Sequence, residues 1–471
     1  MRSDSTLFLS LASLALAVLG VGPGACGGSS SGAAAGGQDA GAVESSGGGD
    51  GTVADDAGAD GAPDASGDVD NGAPSTSYPA PHPDLPQLVN TAGGPVLTAP
   101  KVYLVLYPDY PYQTDMVTFA QKMTTSTYWS TATQEYGVGA LSYAGIIPLT
   151  GQTAPGTTTS GAIQQWVASE IQSGAFGAPD PQAIYTVFYP QGTTITQPNP
   201  VVPQLPGPMS CTGFGGYHDN ATATPADGGA STSYAYAVIP TCSTNVDDLT
   251  AVLSHEWVEA STDPYVTSSG AFTLTAAADS AYFSADANHV VWDILGGGEA
   301  GDLCEPEAPD VYVTPADVGY LVQRTWSNLQ AKGSHDPCAP DITGAFFDSA
   351  PVLPETVTFT SSLTGSVTSQ GVTIPVGTSK TIEVDLFSDA DPGAPWTVSA
   401  ADVLSTYYSS YGLTPTMTFQ WDRTQGLNGE KLHLTITVTQ SSAALFGGAH
   451  AFMITSTNGS RTAVWPGLVV E

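Results

Sequence analysis

Between Lys122 and Arg324 the chain carries nineteen aspartates and glutamates and not one lysine or arginine. Carboxylates left at the surface need no partner. One that a fold buries finds no basic side chain in this span, and an unpaired buried carboxylate is expensive. Histidine and a bound metal ion are the neutralisers that remain. The whole chain shares the bias, with nine basic residues in 471 and a formal net charge of -35. Nucleic acid and anionic lipid surfaces are thereby poor partners, whereas hard or borderline metal cations suit such a chain. Its length accommodates two or three domains with real cores.

The stretch "LSHEWVEASTDP", Leu253 to Pro264, packs one histidine and three carboxylates into nine residues. Asp247 and Asp248 are candidate caps for a helix whose apolar positions are Leu249, Val252, Leu253 and Trp257, and Pro264 ends it. His255 and Glu259, four apart, then stack on one helix face. This is the spacing of the two helix-borne ligands in H-E-x-x-H zinc hydrolases, with Glu in place of the second His. Glu256 follows the first ligand, where those enzymes keep the general base. A second cluster, "GGGEAGDLCEPE", offers Glu299 and Asp302 in a Gly-rich loop. A third, "FGGYHD", offers His218 in the long Gly/Pro-rich stretch ahead of "YAYAVIP". The expected shell is therefore His255 and Glu259 with His218, Glu299 and Asp302 as further ligands, and Glu256 as catalytic base. Zinc is the expected metal, since two histidines favour it; calcium is the alternative if oxygen dominates the shell. His82 and His335 in loop contexts, and His289, His433 and His450 without evident partners, read as structural.

Upstream, "KVYLVLYP", "ALSYAGIIPL", "AIYTVFYP" and "YAYAVIP" read as strands, alternating with helical patterns over about 114–129 and 160–173. Such alternation predicts a layered α/β head over 87–340. After Pro340 short alternating strands with turn residues between them predict an all-β, immunoglobulin-like sandwich over 341–471.

The N-terminus reads as a targeting segment. Arg2 precedes an apolar run from Leu7 to Val21, short for a membrane span and right for a signal-peptide core. "PGAC" ends at Cys26, the lipidation candidate of a lipoprotein-type signal over 1–26. Residues 27–86 are rich in Gly, Ser, Ala and Asp and read as a disordered stalk with a span of roughly 45 Å. With Cys26 assigned to lipid, Cys211, Cys242, Cys304 and Cys338 form an even set suited to an oxidising compartment. Of the three possible pairings, Cys211–Cys242 and Cys304–Cys338 is preferred because each closes a loop of about thirty residues.

"CTGFGGYHD", "YAYAVIPTC", "LSHEWVEASTDP", "GGGEAGDLCEP" and "QRTWSN" occur in an order that resembles the Exordium (phosphate-induced) family and its bacterial secreted relatives, over about residues 101–338. That family's pattern has a Cys-Gly-Tyr/Phe-His element, an S-H-E-x-x-E helix ending in T-[DN]-P, and an E-x-x-D-L-C loop. The departure is Gly215, where the pattern tends to have cysteine. Membership implies an extracellular protein and leaves the reaction open. The succession of strand, H-E-x-x-E helix and downstream acid also looks like a zincin, which would make Tyr234–Pro240 the strand lining the cleft. The expectation is an extracytoplasmic protein, held at a membrane or cell surface by an N-terminal lipid and otherwise secreted. Its head would be a zinc-dependent, peptidase-like hydrolase acting on extracellular protein or cell-wall glycan. The alternative is a non-catalytic cell-surface binding module with a structural metal.

Overall fold

The computed structural model describes residues 71–198, 206–224, 230–266, 280–295, 298–307, 310–361, 365–403 and 413–471. The expected signal peptide, Cys26 and positions 27–70 of the expected stalk lie outside the described residues.

The head is built on a five-stranded sheet of β1 (Lys101–Leu106), β2 (Ser142–Pro148), β3 (Ala183–Tyr189), β4 (Tyr217–Ala223) and β5 (Thr232–Pro240), in spatial order β2-β1-β3-β5-β4. β1 runs parallel to β2 and β3, and β3 parallel to β5, while β4 pairs antiparallel with β5 at one edge. The near-continuous apolar runs of β1, β3 and β5 suit strands covered on both faces. Alternate residues feed two cores. Val102, Leu104, Ile184, Phe188 and Ile239 face one, and Val105, Tyr185, Val187, Tyr236 and Val238 the other.

Helices α1 (Gln113–Met123), α2 (Thr127–Thr133) and α4 (Val246–Thr262) supply the first core through Phe119, Trp129, Leu253 and Trp257. Helix α3 (Ser160–Ser173) supplies the second through Ile163, Val167 and Ile171. The expected single helix over 114–129 is thus two helices. Ser126 divides them because its hydroxyl accepts the Trp129 N–H at 3.2 Å, an N-cap that restarts the chain.

Helix α4 is buried almost throughout, with the Trp257 indole N–H donating to Thr186 Oγ1 of β3 at 2.8 Å. Its N-cap is Asn245, whose side chain accepts the Asp247 N–H. The expected caps, Asp247 and Asp248, stand in the first turn, where negative charge favours the helix dipole. Asp263 ends the helix at φ -139°, ψ 73°, as the residue before Pro264 is steered to do.

Two expectations change in the long stretch after β3. His218 sits on a strand, β4, in register with Ala237 of β5. β5 is consequently an interior strand, paired on both sides, and cannot line a cleft with a free edge. The sheet edge near α4 belongs to β4.

The sandwich comprises β6 (Phe347–Pro351), β7 (Glu355–Ser361), β8 (Gly365–Thr373), β9 (Ser379–Ser388), β10 (Trp396–Asp402), β11 (Met417–Trp421), β12 (Gln425–Gly426), β13 (Lys431–Val438), β14 (Ala449–Asn458) and β15 (Arg461–Val470). One sheet has the order β6-β9-β13-β11 and the other β7-β8-β15-β14-β10-β12. β13 alternates strictly: Leu432, Leu434, Ile436 and Val438 are buried while the residues between them are half-buried. Trp396 closes the core, its indole N–H donating to Ser349 Oγ at 3.0 Å.

Residues 71–86 belong to the folded body, in place of the expected disordered stalk. Asn428 holds the segment: its carbonyl accepts the Ser75 N–H and its Oδ1 the Ala80 N–H, at 2.7 and 3.0 Å. His82 stacks on Phe387 with ring centroids 3.6 Å apart, and Ala80 and Leu85 are buried. This stretch carries tyrosine, leucine and five prolines, unlike the Gly/Ala/Asp tract before it.

Head and sandwich lie in one compact unit. Trp292 of the head contacts Trp326 and Trp465 with ring centroids 5.4 and 5.5 Å away. The disulfides are Cys211–Cys242 and Cys304–Cys338, the preferred pairing.

Candidate metal centre

Three separate segments meet beneath the β4 edge. Helix α4 brings His255, Glu256 and Glu259; β4 brings His218; and the short 3-10 helix Asp302–Glu307 with the loop leading into it brings Asp302 and Glu305 from the helix and Glu299 from the loop. Glu259 is the hub. Its Oε1 accepts the backbone N–H groups of Gly301 and Asp302, each at 3.1 Å, which fixes the carboxylate. Its Oε2 then faces both imidazoles, 3.0 Å from His255 Nε2 and 3.5 Å from His218 Nδ1. Each ring also has a second acid beside it, across the ring for His218 and at the same nitrogen for His255. Glu299 Oε1 is 3.3 Å from His218 Nε2, and Asp302 Oδ1 is 3.5 Å from His255 Nε2. The five residues expected to form a shell therefore come together.

The cluster lies inside the protein: Glu259 and Asp302 are 0% exposed and Glu299 1%. Both carboxylate oxygens of Glu299 and of Asp302 accept no hydrogen bond, nor does Oε2 of Glu256, Glu259 or Glu305. Glu256 is turned toward the mouth of the site, its Oε2 3.7 Å from His218 Nδ1. Gly216, Val252, His255, Glu305 and Tyr312 surround a cavity there of about 20 Å³, the room of one water molecule.

The electrostatics follow from burial without basic side chains. Burial pushes Glu299 and Glu305 up to about 8 and Asp302 well above the usual carboxylate range, against the pull of the histidines on the two glutamates. Burial also opposes charge on His255, but Glu259 and Glu256 outweigh it and carry the imidazole up to about 10. Glu259 answers in the opposite sense: burial raises it, yet His255 and His218 together draw it down to about 2.

Two residues of the centre escaped the sequence reading. Glu305 lies one 3-10 turn after Asp302, a three-residue spacing that was visible in "DLCE". Asp263 contributes its main-chain oxygen, 3.2 Å from His218 Nε2, while its carboxylate accepts the Ala281 N–H at 2.7 Å. The five histidines set aside as structural are all outside the centre, and four of them have acidic partners: Asp286 for His289, Asp389 for His335, Asp422 for His433 and Glu471 for His450. Downstream, Glu307 and Asp336 illustrate the contrast. They meet the fully buried Arg324, whose Nη2 lies 2.7 Å from Asp336 Oδ2, and need no other cation.

No protein-family model matches the chain, and no curated protein matches it. Among solved structures, domains 4 and 5 of the S-layer protein SbsC match at 15% identity and a TM-score of 0.15, over 35% of this chain and 67% of that one. The titin M3 domain matches at 14% identity and a TM-score of 0.14, over 21% of this chain and 85% of that one. The GAE domain of GGA2p from Saccharomyces cerevisiae matches at 7% identity and a TM-score of 0.14, over 28% and 94% respectively. Likenesses this slight carry no argument about either part of the chain.

Proposed function

We propose that this is an extracytoplasmic metalloprotein whose head is a zinc-dependent hydrolase of peptidase type, anchored through a lipid on Cys26. The observation that carries the reading is the meeting of two imidazoles at one oxygen, Glu259 Oε2, inside a shell of acids with unpartnered oxygens. A mixed nitrogen and carboxylate donor set fits zinc, and buried oxygens without hydrogen bonds fit a cation. His255 and Glu259 would hold the ion, with His218, Glu299 or Asp302 completing the shell. Bound there, zinc would lower the pKa of a water to about 7. Glu256 has the free oxygen and the place beside the cavity that a general base requires. Gly301 and Asp302 amides keep Glu259 aimed, so the shell is pre-organised by backbone.

The Exordium resemblance and a zincin-like head belong to this reading. An antiparallel edge strand beside the ligand-bearing helix supports it, with β4 as the strand that would accompany an extended substrate, an extracellular polypeptide or a cell-wall glycan peptide. Two disulfides suit an oxidising compartment, and no described helix is long and apolar enough to cross a membrane. The rival reading, a non-catalytic surface module with structural calcium, draws on the carboxylate majority; the two imidazoles weigh against it.

The test is turnover of a mixed peptide library by the purified full-length chain, read by mass spectrometry. Cleavage should stop with a chelator, return with zinc, and fall at least 10²-fold in Glu256→Gln while the metal stays bound. Equal cleavage by parent and Glu256→Gln, or none by the zinc-loaded parent, defeats the hydrolase assignment.

A further inference from the structure

We infer that the centre holds two divalent cations side by side, with Glu259 between them. The inference rests on the metal reading above and adds to it a second ion. Of the sets of ligand-type atoms that stand close enough to hold an ion here, two share no residue: His218, Glu259 and Glu299 form one, His255, Asp302 and Glu305 the other, while a third, His255, Glu256 and Glu259, overlaps both. Their composition is the same, one imidazole and two carboxylates. A neutral imidazole with two carboxylates carries two negative charges, so one divalent cation balances each set. A single ion would leave the other set's two acids, buried or half-buried, beside it with no counter-charge, the costly arrangement that this stretch of chain has no lysine or arginine to relieve.

Each set also contributes its own unpartnered group. Glu299 is 1% exposed and Asp302 0%, and neither accepts a hydrogen bond through either oxygen. They stand beside different imidazoles, Glu299 beside His218 and Asp302 beside His255. One four-coordinate ion has too few positions for six such ligands. Glu259 Oε2, within 3.5 Å of both rings, is placed to serve both ions. Paired ions about 4 Å apart, held by bridging carboxylate, are a general arrangement for stabilising the attacking and leaving oxygens of a hydrolytic displacement.

The experiment counts ions. The full-length chain is stripped with a chelator, loaded with zinc, passed through gel filtration, and weighed by native mass spectrometry alongside metal analysis. Weakly held surface ions are discounted by comparison with His218→Ala/His255→Ala. The expected count is two tightly held zinc ions in the parent, one in Glu299→Gln and one in Asp302→Asn, the isosteric changes preserving shape. Cobalt loading should give two visible-absorption increments at one and two equivalents in the parent and a single increment in each variant. One ion in the parent, lost with His255→Ala, overturns the two-ion inference and leaves the hydrolase reading standing. No retained ion overturns both. Two ions in the parent that survive in both isosteric variants place the second ion elsewhere and overturn the inference as well.

Discussion

A Cβ on Gly301 would stand 2.5 Å from His255 Nδ1 and 2.8 Å from Glu259 Oε1. Real Cβ atoms do not approach so closely, so a side chain here must displace the hub carboxylate, the imidazole or the loop itself. Gly301→Ala is expected to lower zinc affinity at least tenfold and to cost about 1–3 kcal/mol of stability, as overpacking does. A competition titration against a chromogenic chelator reads the first effect and thermal unfolding the second. Gly161 provides the control: it lies in α3 with nothing within 4 Å of its would-be Cβ. Gly161→Ala should leave the metal untouched and stabilise the protein by about 0.5–1 kcal/mol. If Gly301→Ala binds zinc as the parent does, the hub geometry described here is wrong.

At the scale of the element, the Asp302–Glu307 helix is too short to persist alone, and it carries Pro306 inside it. It is held in place by its surroundings. The Cys304–Cys338 bond ties it to the strand that leads toward the sandwich, the Gln323 side chain donates to the Gly301 carbonyl at 2.8 Å, and the Trp326 N–H donates to the Ala300 carbonyl at 2.7 Å. The bond closes a sequence separation of 34 residues, so its removal should cost about 3–4 kcal/mol. Cys304→Ala/Cys338→Ala should therefore unfold at lower denaturant and also release zinc more readily, because Asp302 and Glu305 ride on the freed segment. Denaturant unfolding of this variant and zinc release from the reduced parent measure the two consequences. A loss of stability with unchanged zinc affinity would show that the segment is positioned by its packing and hydrogen bonds without need of the disulfide.

Across the whole molecule, buried acid is also held away from histidines. In the sandwich Asp348 is buried with the Ser349 N–H and the Ser456 hydroxyl donating to its Oδ1 at 2.7 and 3.1 Å. Burial pushes Asp348 up to about 7, those two donors only partly opposing it. The folded state thus holds this proton more tightly than the unfolded state does. The associated stability is intact below about pH 4, where both states are protonated, and drains away as pH rises to about 7. A shift of this size corresponds to about 2–4 kcal/mol. Asp348→Asn keeps the accepting oxygen and cannot ionise. It should match the parent at pH 4 and exceed it by about that amount at pH 8 in denaturant unfolding. An equal gain at both pH values would attribute the effect to packing and contradict the titration.

Local pattern was enough to read the strands of the head, because "KVYLVL" and "AIYTVFY" carry their burial in their own composition. It was enough for the i, i+4 pair His255 and Glu259, whose shared face follows from helical geometry alone, and for acids in want of a cation, which follows from the missing lysines and arginines. The even cysteine set and its loop lengths pointed to the pairing that is observed. Long-range packing decided the rest. Nothing within "FGGYHD" says that it forms a strand, since β4 is stabilised by pairing with β5 and polar residues at an edge carry little periodic signal. That pairing moved β5 to the interior and gave the sheet edge to His218. The fold of residues 71–86 rests on Asn428, roughly 350 positions away, a partner no local window contains. Glu305 and the Asp263 carbonyl enter the centre only because a Gly-rich loop, a helix end and an edge strand converge in space. Residue types and spacings are properties of the chain, but which of them meet is set by the packing of segments far apart along it.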